Sequence, residues 1–139
     1  MKELTRTECA DWLLARDNFA ILSHRKPDGD TLGSCAALCR GLRALGKTAH
    51  ILANEDLTPL YAPLVEGLTK PEAEEGDILI AVDVAADNML PQAFMNMKNC
   101  IDLRIDHQDP AGNIPLTSWW MRSLPLAQRS FGNCCWIWA

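Results

Sequence analysis

Residues 23–34 read Ser-His-Arg-Lys-Pro-Asp-Gly-Asp-Thr-Leu-Gly-Ser and join an apolar run to a segment with helical periodicity. The stretch contains the imidazole of His24 and the carboxylates of Asp28 and Asp30. A neutral ring nitrogen and carboxylate oxygens are ligands for divalent cations, and Gly29 lets the chain turn between the two aspartates. Residues 28 and 30 point to the same side of an extended segment, so they could address two adjacent ions. The stretch therefore predicts a metal site between a strand and a helix.

The same residues also fit a polar turn in which Asp30 caps the next helix. Two further apolar runs favour the metal site, because each ends in ligand-type residues. Residues 78–82 precede Asp83, and residues 100–105 precede Asp106 and His107. Ligands in open parallel sheets gather at the carboxyl ends of strands, so we expect the three strand ends to form one site.

The chain alternates between strand and helix patterns, as a parallel sheet requires. Strands are predicted at 19–23, 48–52, 77–82 and 100–105; helices are predicted at 5–16, 31–45 and 87–97, with a short one around 60–66. Thr5 and Glu8 form the signature of a capping box. Gly33 and Ser34 would open the second helix, where free N–H groups favour a phosphate. His50 is interpreted as a half-exposed strand residue. Right-handed crossovers place helices on both faces of the sheet, which predicts a Rossmann-like α/β fold.

The six cysteines suggest no disulfide or metal framework. Cys9, Cys35, Cys39 and Cys100 lie in apolar segments, where a free cysteine behaves as a small buried hydrophobe. Cys35 and Cys39 share one helical face and could be a ligand pair, but a core face is the favoured interpretation.

Composition narrows the class of protein. With 139 residues and 48% hydrophobic content, the chain can bury the core of one domain. The 13 basic and 18 acidic residues give a net charge of −5, which argues against duplex DNA as a partner but not against a short oligonucleotide or a nucleotide phosphate. No apolar stretch has the length of a transmembrane helix and the N-terminus lacks a signal-peptide core, so we expect a cytoplasmic protein without a membrane partner. The oligomeric state stays open.

Three motifs follow one another along the chain: Ser-His-x-x-Pro-Asp-Gly-Asp-x-x-Gly-Ser, then Val-Asp, then Ile-Asp-His. In this order they resemble the motifs of the DHH phosphoesterases, and within them the bacterial oligoribonuclease and phosphoadenosine-phosphate phosphatase branch. The resemblance covers about residues 1–107, the front part of that family's N-terminal catalytic domain. It implies two manganese ions in a cleft that activate a water for phosphoester hydrolysis.

The resemblance also implies a ligand set for each ion. His24, Asp28 and Asp83 would hold the first ion. Asp30, Asp83 and His107 would hold the second, so that Asp83 bridges the two. Two such ions lower the pKa of a shared water and neutralise phosphate oxygens, and no protein nucleophile is then required.

Around the substrate, the resemblance implies Asp106 and His107 as catalytic residues and Ser34 and Gln108 as substrate contacts. Asp106 would orient a ligand or His107 by hydrogen bonding. The family's third motif reads Asp-His-His, whereas Gln108 supplies an amide that cannot carry a positive charge. No acidic residue follows Asp109, so an aspartate that completes the family's second metal site has no counterpart. The second manganese site is therefore predicted to be incomplete.

Composition changes near residue 108. All 18 acidic residues lie within residues 1–109, and four of the five tryptophans lie in the last 30 residues. We therefore predict a partial DHH catalytic domain at 1–107 and an atypical tail at 108–139 that is consistent with a reading-frame shift. The resemblance implies a C-terminal substrate-binding domain, and we expect no counterpart of it in this sequence.

Three functions stay open at this point. The first is a manganese-dependent phosphoester hydrolase, truncated and impaired, that acts on short oligonucleotides or phosphoadenosine phosphate. The second is a catalytically dead domain that binds a nucleotide or a metal. The third is a non-functional gene fragment whose exposed sheet edge would make it aggregate.

Overall fold

The computed structural model describes residues 2–106 and 118–121, in which seven strands form one sheet. The strands are β1 (Lys2–Leu4), β2 (Phe19–Leu22), β3 (Ala49–Leu52), β4 (Thr69–Lys70), β5 (Ile78–Val82), β6 (Ile101–Asp106) and β7 (Ser118–Met121). Their order across the sheet is β1-β7-β6-β5-β2-β3-β4. The strands from β6 to β4 run parallel, whereas β7 pairs antiparallel with both β6 and β1. The parallel strands confirm the predicted Rossmann-like α/β fold.

Within the described residues two α-helices, α1 (Arg6–Leu14) and α2 (Gly29–Ala44), pack on one face of the sheet. The predicted capping box of α1 is confirmed, because the Thr5 hydroxyl accepts from the Glu8 N–H and the Glu8 carboxylate accepts from the Thr5 N–H. Three 3₁₀ segments lie in the described ranges, at Ala62–Val65, Asp87–Met89 and Gln92–Cys100. None of the helices in the described ranges is long and apolar enough to cross a membrane.

The predicted helix at 87–97 is wrong, because the chain is interrupted at Pro91. Leu90 and Pro91 have ψ values of 145°, which is extended backbone. Proline disfavours helical backbone in the residue before it and has no N–H for an intrahelical bond. The methionines and Phe94 of this segment still pack against the sheet, since two 3₁₀ segments replace the one helix.

The core lies on both faces of the sheet. Along β2, Phe19 and Ile21 pack with α2 on one face, whereas Ala20 and Leu22 pack with the residues of 87–100 on the other. Cys35 and Cys39 are buried and free within the first face, which confirms the core interpretation.

The thiols of Cys35, Cys9 and Cys100 differ in their state. Burial raises the pKa of the Cys35 thiol to about 12, so it stays protonated at neutral pH. Cys9 is likewise buried and free. Cys100 is half-buried and packs against the second face of the core as predicted, but it is disulfide-bonded rather than free.

His50 lies on β3 with only 1% of its surface exposed, so the predicted half-exposed position is wrong. The reason is that β3 lies between β2 and β4, and both faces of the strand are covered. Within the described residues neither ring nitrogen has a hydrogen-bond partner, although Nε2 lies 3.4 Å from Oδ2 of Asp77.

Burial makes His50 a source of pH-dependent stability. Burial, helped by Lys70 and Arg43, lowers the pKa of His50 from 6.5, while Asp77 and Glu74 oppose the shift. The unfolded chain therefore takes up a proton at a higher pH than the native chain does. The free energy of unfolding has its full value above about pH 6.5 and falls as the pH drops from there towards the native pKa.

We expect His50→Gln to remove this part of the pH dependence. Urea unfolding of both proteins at a series of pH values between about 5 and 8 measures it. The quantity to compare is the slope of the free energy of unfolding against pH, because the substitution can also lower the stability by the same amount at every pH. Equal slopes in the two proteins would contradict the prediction.

Candidate metal centre

Three predicted ligands come together at one edge of the sheet. Ligand atoms of His24, Asp28 and Asp83 all lie within 4.8 Å of one another. His24 follows β2 and Asp83 follows β5, and these neighbouring parallel strands are in register up to Leu22 and Ala81. The residues just beyond the two strands therefore meet, as ligands at the carboxyl edge of a parallel sheet do.

Asp28 is held by the start of α2. Its Oδ1 accepts hydrogen bonds from the N–H groups of Asp30 and Thr31, each at 3.0 Å. These bonds, the one from Thr31 most strongly, lower the pKa of Asp28. The carboxylate is therefore ionised at neutral pH, as a cation ligand must be.

The residue that caps α2 differs from the one that the sequence suggests. The cap residue is Asp28 rather than Asp30, and α2 begins at Gly29. Ser34 lies in the second turn with an exposed side chain, so its N–H belongs to the helix's own bonding ladder rather than to its open end. The prediction that Gly33 and Ser34 open the helix is therefore wrong, and the role of Ser34 as a substrate contact stays a prediction.

Asp83 has a left-handed backbone, with φ of 58°. Aspartate and asparagine tolerate this conformation better than most residues, at a cost of about 1 kcal/mol. The Asp83 N–H donates to the Ile105 carbonyl at 2.8 Å. The backbone thus turns sharply away from the sheet at Asp83, while the Asp83 N–H still bonds to β6.

Thr31 connects the two aspartates and was not identified from the sequence. Its hydroxyl lies 2.5 Å from Oδ2 of Asp83 and 3.2 Å from Oδ1 of Asp28, and the residue is fully buried. A hydroxyl has one proton to donate, so the shorter contact takes it. Two carboxylates so close repel each other, and a donor between them reduces that repulsion. The one available signal was a threonine three residues after the aspartate that caps α2.

His24 has a defined ring orientation. Its Nδ1 lies 2.6 Å from the Arg25 carbonyl oxygen. A carbonyl only accepts, so Nδ1 must carry a hydrogen. Nε2 lies on the side of Asp83, 3.6 Å from its Oδ2. Metal-binding histidines commonly use this arrangement, in which one ring nitrogen donates to a carbonyl and the other faces the ion. The donor set of one imidazole nitrogen and two carboxylates fits a divalent transition metal.

Among the described residues, the cluster does not include Asp30 or Asp106. Asp30 lies in the first turn of α2 with an exposed side chain. Asp106 ends β6, next to β5, and is 8% exposed. His107 and Gln108 lie outside the described residues. The ligand set of the second ion and the catalytic roles of Asp106 and His107 therefore stay predictions.

A histidine and two carboxylates that converge at the strand ends of an α/β sheet define a candidate metal site. A family model described as "DHH family, N-terminal domain" matches residues 18–124. The chain therefore belongs to the DHH family of phosphoesterases, as its three motifs predict. The match includes β7 and extends past residue 107, where the sequence predicts the catalytic part to end.

A curated relative agrees with this family. The chain is 37% identical, over 67 residues, to a protein of Thermus thermophilus named bifunctional oligoribonuclease and PAP phosphatase NrnA. The similarity covers 47% of this chain and 21% of the relative. The chain thus matches about a fifth of that protein's length.

Proposed function

We propose that this chain contributes the metal-binding part of a manganese-dependent hydrolase that acts on short oligonucleotides or phosphoadenosine phosphate. The cluster of His24, Asp28 and Asp83 carries the proposal, because its ligand atoms converge and the orientation of its histidine is fixed. Membership of a phosphoesterase family supports the reaction. The name of the Thermus relative supports the substrate class.

Each of the two ions would have its own set of ligands. His24 Nε2 and the carboxylates of Asp28 and Asp83 would bind the first ion. Asp30, Asp83 and His107 would bind the second, and Asp106 would orient a ligand. The bound ions would lower the pKa of a water and neutralise charge on the phosphate oxygens.

The local charge suits an anionic substrate although the whole chain is acidic. Arg25 and Lys26 directly follow His24 and are exposed. These two cations stand next to the cluster along the chain. A short phosphate ester would meet them together with the ions, whereas a net charge of −5 opposes a long polyanion.

We expect phosphoester hydrolysis that depends on added manganese. The test incubates metal-free protein with a chromogenic phosphodiester and with a short oligoribonucleotide, with and without Mn²⁺. Activity should disappear when a chelator is added and return with excess Mn²⁺. Electron paramagnetic resonance measures binding in the same samples.

The two readouts separate the outcomes. Binding with turnover supports the hydrolase, and binding without turnover would identify a catalytically dead metal-binding domain. Absence of Mn²⁺ binding would contradict the proposal. Asp11→Asn is the control variant, because Asp11 is an exposed aspartate on α1 that lies outside the cluster.

A further inference from the structure

The loop at residues 53–57, directly after β3, is bonded to the segment that carries His24. The Asn54 Nδ2 group donates to the His24 carbonyl and to the Ser23 hydroxyl, both at 2.9 Å. Asn54 Oδ1 accepts from the Asp56 N–H at 2.9 Å. The partners settle which way the amide points, because a flipped amide would place its oxygen against the His24 carbonyl.

These contacts hold the peptide group between His24 and Arg25. Its carbonyl accepts from Asn54, and its N–H, on Arg25, donates to the Met89 carbonyl at 2.7 Å. A peptide group is planar, so bonds at both of its polar atoms define its orientation.

The next peptide group, between Arg25 and Lys26, is held in the same way. Its N–H, on Lys26, donates to Oδ2 of Asp56 at 3.3 Å. Its carbonyl, on Arg25, accepts from His24 Nδ1. Lys26 has a left-handed φ of 53°, which turns the chain at this point. The direction of the carbonyl that orients the His24 ring therefore depends on the loop at 53–57.

We propose that Asn54 is a positioning residue for the metal centre. It fixes the backbone of His24 and Arg25, so that the Arg25 carbonyl holds the His24 ring with Nε2 towards Asp83. The expected effect on metal affinity rests on the proposed function, whereas the effect on the ring does not. A loop that merely stabilised the fold would leave the ring orientation unchanged when Asn54 is replaced.

The test uses Asn54→Asp in the full chain. This substitution keeps the size and the acceptor for the Asp56 N–H but replaces the donor that faces the His24 carbonyl. Long-range ¹H–¹⁵N spectra of the histidine rings, recorded without metal at about pH 8.5, report which nitrogen carries the hydrogen in the neutral ring. A His24→Gln variant assigns the signals among the three histidines of the chain.

We expect wild-type His24 to carry its hydrogen on Nδ1, and Asn54→Asp to shift the ring towards the form with hydrogen on Nε2. Mn²⁺ affinity, measured by electron paramagnetic resonance, should fall about tenfold, as it does when a partner of a metal ligand is lost. Asn96→Asp should change neither quantity, because Asn96 is an exposed residue of the 92–100 segment.

A second variant, Asn54→Ala, removes the same donor without adding a charge, and circular dichroism shows whether each variant is folded. Ring signals that match the wild type in a folded variant would overturn the inference, whatever the Mn²⁺ result. If the wild-type chain binds no Mn²⁺ but the ring signals shift as expected, the proposed function fails and the positioning role of Asn54 stands.

Discussion

Asp83→Asn should abolish Mn²⁺ binding at the candidate metal centre and lower phosphoester hydrolysis about a thousandfold or more, since bound ions supply several kcal/mol of stabilisation to the reaction. The carboxylate of Asp83 would contact both ions, so its loss removes a ligand from each. Asparagine is the suitable replacement, because it tolerates the left-handed backbone at this position. Alanine would add backbone strain to the loss of charge.

The measurements are Mn²⁺ titration and hydrolysis rate, with thermal unfolding to show that the variant is folded. Asp11→Asn makes the same chemical change on the exposed surface of α1 and should leave both quantities unchanged. His24→Gln should weaken the binding of chiefly one ion, because His24 would be a ligand of the first ion only. Equal losses in the Asp83 and His24 variants would contradict the division of ligands.

Thr31→Val should weaken Mn²⁺ binding by about 10- to 100-fold, the usual effect of removing a residue that orients metal ligands. The valine has nearly the same shape but no hydroxyl. Oδ2 of Asp83 would lose its donor at 2.5 Å, and the carboxylates of Asp28 and Asp83 would repel each other more strongly. Hydrogen bonds to charged groups contribute about 1.5–3 kcal/mol, so unfolding should also become easier.

Thr31→Ser is the matched control for this prediction. Serine keeps the hydroxyl and loses one methyl group from a fully buried position. It should retain most of the Mn²⁺ affinity, although it should lower the stability. If the serine variant loses as much affinity as the valine variant, packing rather than the hydroxyl explains the effect.

The sequence predicted the sheet well where apolar runs end in polar residues. All five residues of β5 are buried, and Asp83 follows them directly, so the run of hydrophobic residues also located a ligand. The same reasoning placed His24 after β2. It failed for the 87–97 segment, because periodic apolar residues indicate a face that packs but do not specify the backbone around Pro91.

The residues that the sequence did not identify act through distant partners. Asn54 and Ser23 are 31 positions apart, and Thr31 and Asp83 are 52 apart. Neither Asn54 nor Thr31 belongs to a periodic pattern that marks such a contact. His50 was misjudged for a related reason, because its burial depends on the order of the strands rather than on the residues of β3.

By itself, the sequence determined the α/β fold, the family and the residue types of the metal centre, because strand periodicity and the spacing of the motifs are local properties of the chain. Only the tertiary structure decided which ligands converge, which nitrogen of His24 faces Asp83 and which side chains hold that geometry. These features depend on hydrogen bonds between segments that are adjacent only after the sheet has formed, as the bonds from Asn54 to His24 and from Thr31 to Asp83 are.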